Sequence, residues 1–262
     1  MWARSWANAL ANQPHKFYDM VMSELINFGH DTTLMVVAPH PDDEVIGCGG
    51  LIAKVKEAGG SVHVLFLTVA ATQDFSTHGS STAQERTDEI VDVAKALRID
   101  TWHVAFSGEE YHLRLDQLAQ KDLIHVIERG EGISLESLQP AILAFPQLTD
   151  YNQDHRAAAL ACMAACRPAP RQEKFIPDFV LSYESPMNAW NPYLDTRNPN
   201  FIIPLSEEGI RIKMRGMKLY ESQVRGVGHP RHVKNLEALA RLRGSLIGEE
   251  FGEAYHCLKL AA

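Results

Sequence analysis

The sequence lacks several features that mark common protein classes. Its 262 residues include only four cysteines (Cys48, Cys162, Cys166 and Cys257), and their spacing fits neither a disulfide framework nor a zinc ribbon nor a redox Cys-x-x-Cys motif. No apolar run reaches the length of a membrane span, and the N-terminus has no long apolar signal-peptide core. We therefore expect a cytoplasmic globular protein with reduced thiols and no membrane partner.

The chain also lacks the charge excess of a nucleic-acid-binding protein, because its formal net charge is -8. The glycines at 47, 49 and 50 follow a predicted strand but do not fit the G-x-G-x-x-G pattern of dinucleotide-binding turns. Hydrophobic residues make up 45% of the chain, which is ordinary for a packed core. We therefore expect neither nucleic acid nor a nicotinamide cofactor as a partner.

Apolar strand-like runs alternate with helical patterns along the chain. This alternation predicts right-handed βαβ units and a parallel sheet, so the predicted fold class is α/β, a Rossmann-like, mostly parallel sheet flanked by helices. In such sheets ligands bind beyond the carboxyl ends of the strands. Segments 39–50, 69–80 and 146–155 follow predicted strands, so we expect them to form one crevice. The predicted strands are 33–38, 62–68, 102–106, 141–145 and 179–183, and the predicted helices are 51–58, 82–97, 115–128, 155–166, 206–225 and 231–247.

We interpret residues 1–262 as a single domain with three parts. Residues 1–30 are predicted to form an added N-terminal helical extension, since apolar residues recur there at helical spacing. Residues 31–165 form the metal-binding α/β core. Residues 166–262 form a helical C-terminal part that covers the substrate site. The oligomeric state stays open, a homo-oligomer included.

The most informative stretch is 38–44, which places one histidine and three carboxylates directly after a buried strand. Carboxylates gathered at a strand end repel one another and are costly to desolvate, so a divalent cation is the simplest partner for them. His40 and Asp43 are three residues apart and can reach one ion, and His155 after a later strand is the best third ligand. Imidazole and carboxylate ligands suit Zn²⁺, or Fe²⁺ and similar metals.

The carboxylates beside these ligands have different predicted roles. Asp42 is the natural general base for a metal-bound water. Asp154, next to His155, is placed among the catalytic residues as a partner that orients the metal site. Glu44 is either such a partner or a carboxylate that binds the N–H groups of a helix N-terminus. The competing interpretation is that 40–44 is a solvated turn.

The run 38–50 resembles the signature of the LmbE-like (PIG-L) zinc-dependent N-deacetylases. Further stretches resemble other motifs of that family in the right order: Glu85–Glu89 its Arg-x-x-Glu helix, 152–156 its second metal motif, Lys218, Tyr220 and Ser222-Gln223 a downstream signature, and Glu253-Ala254-Tyr255 a C-terminal one. The resemblance covers about residues 33–255 and implies a Rossmann-like sheet and removal of acetyl from an N-acetylated amino sugar, as in N-acetylglucosaminides.

The resemblance also implies roles for single residues. His40, Asp43 and His155 would bind zinc, Asp42 would be the general base, and Arg86 would contact substrate, unless Arg86 pairs with acidic residues of its own helix. Many members carry histidine at the position of Asn152. An asparagine amide can donate to an oxyanion but cannot give a proton to a leaving amine.

The predicted reaction is hydrolysis of an acetamide by a zinc-bound water, with Asp42 as base and Asn152 as an oxyanion donor, releasing acetate. The leaving-group proton would then come from Asp42, or from His229 or His78. Trp190, Tyr193 and Tyr183 could stack on a pyranose ring. The alternatives are an amidase that acts on a sugar or thiol conjugate with the same zinc site, a metallophosphoesterase, and a non-catalytic sugar-binding protein.

Overall fold

The computed structural model describes residues 28–73, 76–190 and 198–261. The N-terminal helical extension expected at 1–30 lies outside these ranges except for its last three residues, and Tyr193 lies outside them as well. Within the described ranges, none of the helices combines the length and the apolar composition that crossing a bilayer requires.

A seven-stranded sheet in the order β5-β2-β1-β6-β7-β9-β8 forms the centre of the molecule. The first five of these strands run parallel, whereas β9 is antiparallel to β7 and β8 is antiparallel to β9. The strands β3 and β4 pair separately as a short antiparallel ribbon. The strands are β1 (Thr33–Ala38), β2 (Ser61–Val69), β3 (Thr72–Gln73), β4 (Ser80–Ser81), β5 (Thr101–Ser107), β6 (Ile142–Pro146), β7 (Phe179–Tyr183), β8 (Phe201–Pro204) and β9 (Gly252–Leu260).

Helices cover both faces of the sheet, so the predicted α/β fold with a mostly parallel sheet is confirmed. The helices are α1 (Asp43–Glu57), α2 (Ala83–Leu97), α3 (Gln120–Arg129), α4 (Leu135–Leu138), α5 (Gln153–Ala165), α6 (Glu207–Leu219) and α7 (Val233–Ser245), with 3-10 turns at Leu115–Gln117, Pro186–Trp190 and Glu221–Gln223.

The strand β1 shows why its sequence is apolar without alternation. Leu34 and Val36 belong to one core, which packs under α1, α2, α6 and α7, whereas Met35 and Val37 belong to a second core under α3, α4 and α5. Both faces of the strand are therefore buried, and a strand buried on both faces has no polar alternation.

The structure differs from the sequence-based prediction in several places, of which two are the largest. The helix expected at 115–128 is interrupted, with a 3-10 turn at Leu115–Gln117 and α3 beginning at Gln120. The edge strand β8 and its neighbour β9 were not predicted. Residues along the second half of β9 are partly or fully exposed, so this half carries no continuous apolar run that would indicate a strand.

The close packing of α1 against the sheet explains why the motif after β1 contains glycine. It also shows that one residue predicted to contact a sugar lies in the core. A Cβ on Gly47 would lie 2.2 Å from the ring of Tyr183. That ring is 2% exposed, and its hydroxyl donates to the carbonyl oxygen of Val37 at 3.1 Å. Tyr183 is therefore a core residue, and the suggestion that it stacks on a sugar is wrong.

Candidate active site

The three predicted metal ligands converge at the carboxyl ends of β1 and β6. His40 lies in the turn after β1, Asp43 is the first residue of α1, and His155 lies in the first turn of α5. One nitrogen or oxygen atom of each side chain lies within 4.8 Å of the other two, and all three residues are buried. This cluster could hold a metal ion.

Each histidine of the cluster is oriented by a different carboxylate. The Nδ1 atom of His40 lies 3.3 Å from the Asp43 carboxylate, and its Nε2 atom is 3.0 Å from Asp154. The Nε2 atom of His155 lies 3.1 Å from the same oxygen of Asp43, and its Nδ1 atom is 3.0 Å from Asp150. Each ring therefore turns one nitrogen toward Asp43 while a carboxylate binds the other nitrogen, which is the usual arrangement around metal-binding histidines.

This geometry assigns different partners to the two aspartates near His155. Asp154, which the sequence places beside His155, contacts His40 and also accepts the backbone N–H of Leu115 at 2.9 Å. The carboxylate that contacts His155 is Asp150, for which the sequence indicated no role. Asn188 also donates to Asp150, at 3.2 Å.

The carboxylates of Asp43, Asp150 and Asp154 contact the two histidine rings, and their negative charges favour positive charge on the rings or on a bound ion. Burial lowers the pKa of His155, but Asp43 and Asp150 outweigh burial and raise this pKa to about 10. Burial raises the pKa of Asp43, but His155 and His40 outweigh burial and hold this pKa well below its usual range. A bound dication would satisfy the same carboxylates in place of protons on the rings. Two imidazole nitrogens and one carboxylate oxygen also form a suitable three-ligand set for zinc, with a position left for water.

Asp42 occupies the strained turn between the strand and the helix. Its φ of 105° is in a region that non-glycine residues rarely adopt. Its backbone N–H donates to Glu44 at 3.2 Å, and its carboxylate accepts a hydrogen bond from Nη1 of Arg231 at 2.9 Å. Burial raises the pKa of Asp42, and the charge of Arg231 opposes this shift.

Glu44 is fully buried behind the metal cluster. Its carboxylate accepts the backbone N–H of Asp42 and, at 2.6 Å, the hydroxyl of Tyr220. Burial raises the pKa of Glu44 to about 8. Two roles were considered for Glu44. Its hydrogen bond from the backbone N–H of Asp42, at the start of α1, corresponds to the second role, a carboxylate that binds N–H groups at a helix N-terminus.

An open cavity of about 390 Å³ lies in front of the cluster. The three segments expected to form one crevice all contribute to its wall, and so do two segments that were not predicted, at 112–113 and 223–231. The residues that line it are His40, Asp42, Ala71, Thr72, Gln73, Arg86, His112, Leu113, Tyr151, Asn152, Gln223, Arg225, His229 and Arg231.

The remaining candidates divide between those that reach this cavity and those that do not. Arg86 and Asn152 line it, as does His229, one of the two histidines considered as proton donors. His78, the other, lines a separate surface depression beside α2. Trp190 is 74% exposed and is not among the cavity residues.

Arg86 is buried in the cavity wall and binds only backbone oxygens among the described residues. Its guanidinium donates to the carbonyls of Pro41, at 3.1 Å, and Ala70, at 3.5 Å. Its Nε atom is buried without a hydrogen-bond partner in the part of the chain that the structure describes. The expected alternative, an ion pair with Glu85 or Glu89 on the same helix, is not found there, because those carboxylates bind Thr82 and Ser222.

Comparison with known proteins gives the family. Residues 35–166 match the model of the PIG-L family, described as GlcNAc-PI de-N-acetylase. The chain belongs to the PIG-L family. This membership confirms the predicted relationship and the predicted enzyme class, a deacetylase that hydrolyses amide bonds.

The individual proteins that this chain resembles are distant in sequence. An uncharacterized deacetylase, YaiS, of Escherichia coli K12 is 25% identical over 72% of this chain and 90% of its own length. A diacetylchitobiose deacetylase of Thermococcus kodakarensis is 25% identical over 72% of this chain and 69% of its own length. The crystal structure of GalB, a 4-carboxy-2-hydroxymuconate hydratase of a Pseudomonas strain, superposes with a TM-score of 0.66, covers 88% of this chain and 98% of its own, and is 18% identical, so it shows the fold alone.

Two stretches far from the metal-binding motif that resemble PIG-L motifs form hydrogen bonds with the helices around the site. Ser222 donates to Glu89 of α2 through both its backbone N–H and its hydroxyl, each at 2.6 Å. Glu253 of β9 accepts the backbone N–H groups of Gly50 and Leu51 in α1, at 3.0 and 2.8 Å. These contacts join the C-terminal third of the chain to the helices that surround the metal cluster.

Proposed function

We propose that this chain is a zinc-dependent N-deacetylase that removes the acetyl group of an N-acetylated amino sugar. The observation that carries the proposal is the buried cluster of His40, Asp43 and His155 beside Asp42, with His40 and Asp42 in the wall of one cavity. The diacetylchitobiose deacetylase relative supports a sugar as substrate. Zinc is favoured by the donor set, and Fe²⁺ is an alternative with similar ligand preferences.

The chain's own residues divide the work of amide hydrolysis between them. The metal, when bound by His40, Asp43 and His155, would polarise the acetamide carbonyl and make water a better nucleophile near neutral pH. Asp42 would take a proton from the attacking water. The same proton would then pass from Asp42 to the nitrogen of the breaking amide bond, so that the products are acetate and a free amine.

Asn152 and Arg86 would act on the substrate rather than on the water. The side-chain oxygen of Asn152 caps α5 by accepting the N–H of Asp154 at 2.9 Å, so its NH₂ group is the part that can donate to the carbonyl oxygen. Arg86 would contact the substrate from the cavity wall that it lines. Asp154 and Asp150 would fix the metal-binding rings from behind.

We also propose that residues 166–262 cover the substrate site within a single domain. The support is that residues 223–231 form one side of the cavity, while β7 and β9 continue the sheet begun by the core. The alternative is an amidase that acts on a sugar or thiol conjugate. It would use the same metal cluster, and its substrate would differ in the group conjugated to the sugar or thiol.

The test combines metal analysis with acetate release from a panel that contains N-acetylglucosamine, diacetylchitobiose and N-acetylglucosaminides with charged and uncharged aglycones. We expect about one equivalent of zinc per chain and acetate release from at least one compound of the panel. Asp42→Asn should retain zinc and lose at least about 100-fold in kcat, the lower end of what a general base contributes.

Two outcomes would contradict the proposal. Near wild-type acetate release by zinc-loaded Asp42→Asn would remove Asp42 as the base. Stoichiometric zinc with sugar binding but no acetate release across the panel would favour a non-catalytic protein. Asp122→Asn, an exposed aspartate on α3, is the matched control and should behave like the wild type.

A further inference from the structure

Arg231 is the cation that touches the proposed general base. Its Nη1 atom donates to Oδ2 of Asp42 at 2.9 Å. The Asp42 carboxylate is 3% exposed and the Arg231 side chain is 21% exposed, so the pair lies at the inner wall of the cavity rather than on the surface. No hydrogen bond to the other carboxylate oxygen, Oδ1, is found among the described residues. One oxygen of Asp42 is thus anchored, and the other can accept a proton.

We propose that Arg231 is a positioning residue that holds the Asp42 carboxylate in the orientation needed to take the proton from water. This inference rests on the deacetylase function proposed above. It assigns to the C-terminal part of the chain a role in the chemical step, in addition to covering the cavity.

The surroundings of Asp42 explain why it needs such a partner. The carboxylate is buried beside a second one, Asp43, and its backbone φ of 105° is strained. A buried carboxylate needs a hydrogen-bond partner, and the position of that partner fixes the direction of the carboxylate. A guanidinium suits the task because it keeps its charge at any pH at which proteins fold, so it orients the base without competing for the proton.

Arg231 is itself held by a compact turn that leads into α7. Its backbone N–H donates to Nδ1 of His229 at 3.1 Å. The carbonyl oxygen of His229 accepts the backbone N–H of His232 and the side chain of Asn235, both at 2.9 Å. These contacts pre-organise the turn, which limits the positions that the guanidinium can take and so fixes the carboxylate that it binds.

The first test compares Arg231→Gln and Arg231→Lys with Arg241→Gln, an exposed arginine on α7 that serves as the matched control. Arg231→Gln should lower kcat by about 10–100-fold, the effect of a small misplacement of a catalytic group, with little change in KM. Arg231→Lys should recover part of the loss. Zinc content and melting temperature should stay near wild type in all three. A raised KM with unchanged kcat would overturn the inference and make Arg231 a substrate contact.

Two further measurements separate positioning from a merely structural role. Guanidinium ion at millimolar concentration should restore part of the activity of Arg231→Ala but not that of Asp42→Asn. In the Asp42→Asn background, Arg231→Gln should cause no additional loss, because its effect passes through Asp42. An additive loss, or no rescue, would overturn the inference.

A crystal structure of zinc-loaded Arg231→Gln gives a readout that does not depend on the proposed reaction. The Asp42 carboxylate should leave its wild-type position. A carboxylate that stays in place would overturn the inference even if the wild-type protein releases acetate. Failure of the wild type to release acetate from any compound, with Asp42 displaced in the variant, would instead contradict the proposed function alone.

Discussion

Replacement of Glu253 by alanine is expected to destabilise the fold through α1, the helix that begins with the metal-binding motif. The Glu253 carboxylate is 5% exposed and forms an ion pair with Lys213 of α6 at 2.5 Å. It also accepts two backbone N–H groups of α1 and the hydroxyl of Tyr255. The carboxylate therefore joins β9 to two helices at one buried point.

The expected magnitude follows from what the substitution leaves behind. In Glu253→Ala, the Lys213 ammonium stays buried, and its remaining hydrogen-bond partner among the described residues is the carbonyl oxygen of Ile46, at 2.8 Å. Breaking a buried ion pair by removing one member costs about 3–5 kcal/mol. For a chain of this size that loss corresponds to a fall of roughly 6–20 °C in melting temperature, at about 2–4 °C per kcal/mol.

Urea unfolding followed by circular dichroism measures the loss, with Glu250→Ala as the matched control because Glu250 pairs with Arg241 in solvent. The double variant Glu253→Ala with Lys213→Met should lose less stability than the sum of the single variants, since it leaves no buried charge unpaired. A loss below about 1 kcal/mol for Glu253→Ala, which is the range of exposed ion pairs, would refute the reasoning.

Two other substitutions test the packing of α1 and the orientation of the metal cluster. Gly47→Ala should destabilise the protein by about 1–3 kcal/mol, because its new Cβ would overlap the ring of Tyr183; an unchanged melting temperature would contradict the close approach. Asp150→Asn should weaken zinc binding by about 10–100-fold by removing the carboxylate that orients His155. Competition with a chelator measures this change, Asp122→Asn is the control, and wild-type affinity would show that Asp150 has no such role.

Much of the fold could be predicted because the strands of a parallel sheet are buried on both faces. The observed bounds of β1 and β7 agree with the predicted ones, and α2 begins next to the predicted helix start at residue 82, where Thr82 and Glu85 form a capping box. The antiparallel strands β8 and β9 escaped prediction, since β8 is mostly half-buried, the second half of β9 is partly or fully exposed, and their pairing depends on contacts distant in sequence.

The sequence by itself determined the chemistry of the candidate site. Residue types and their spacing after two predicted strands were enough to select His40, Asp43 and His155, because strand ends of a parallel sheet meet at one edge. The structure brings these three together as expected.

Only the tertiary structure decided which side chains orient the metal-binding histidines and the proposed general base. The pairing of Asp154 with His40, of Asp150 with His155 and of Arg231 with Asp42 leaves no periodic or local signal in the chain. Arg231 lies 189 residues from Asp42 in sequence, and the fold alone brings the two together. Hydrogen bonds and ion pairs act over a few ångströms, so their partners are set by packing rather than by spacing along the chain.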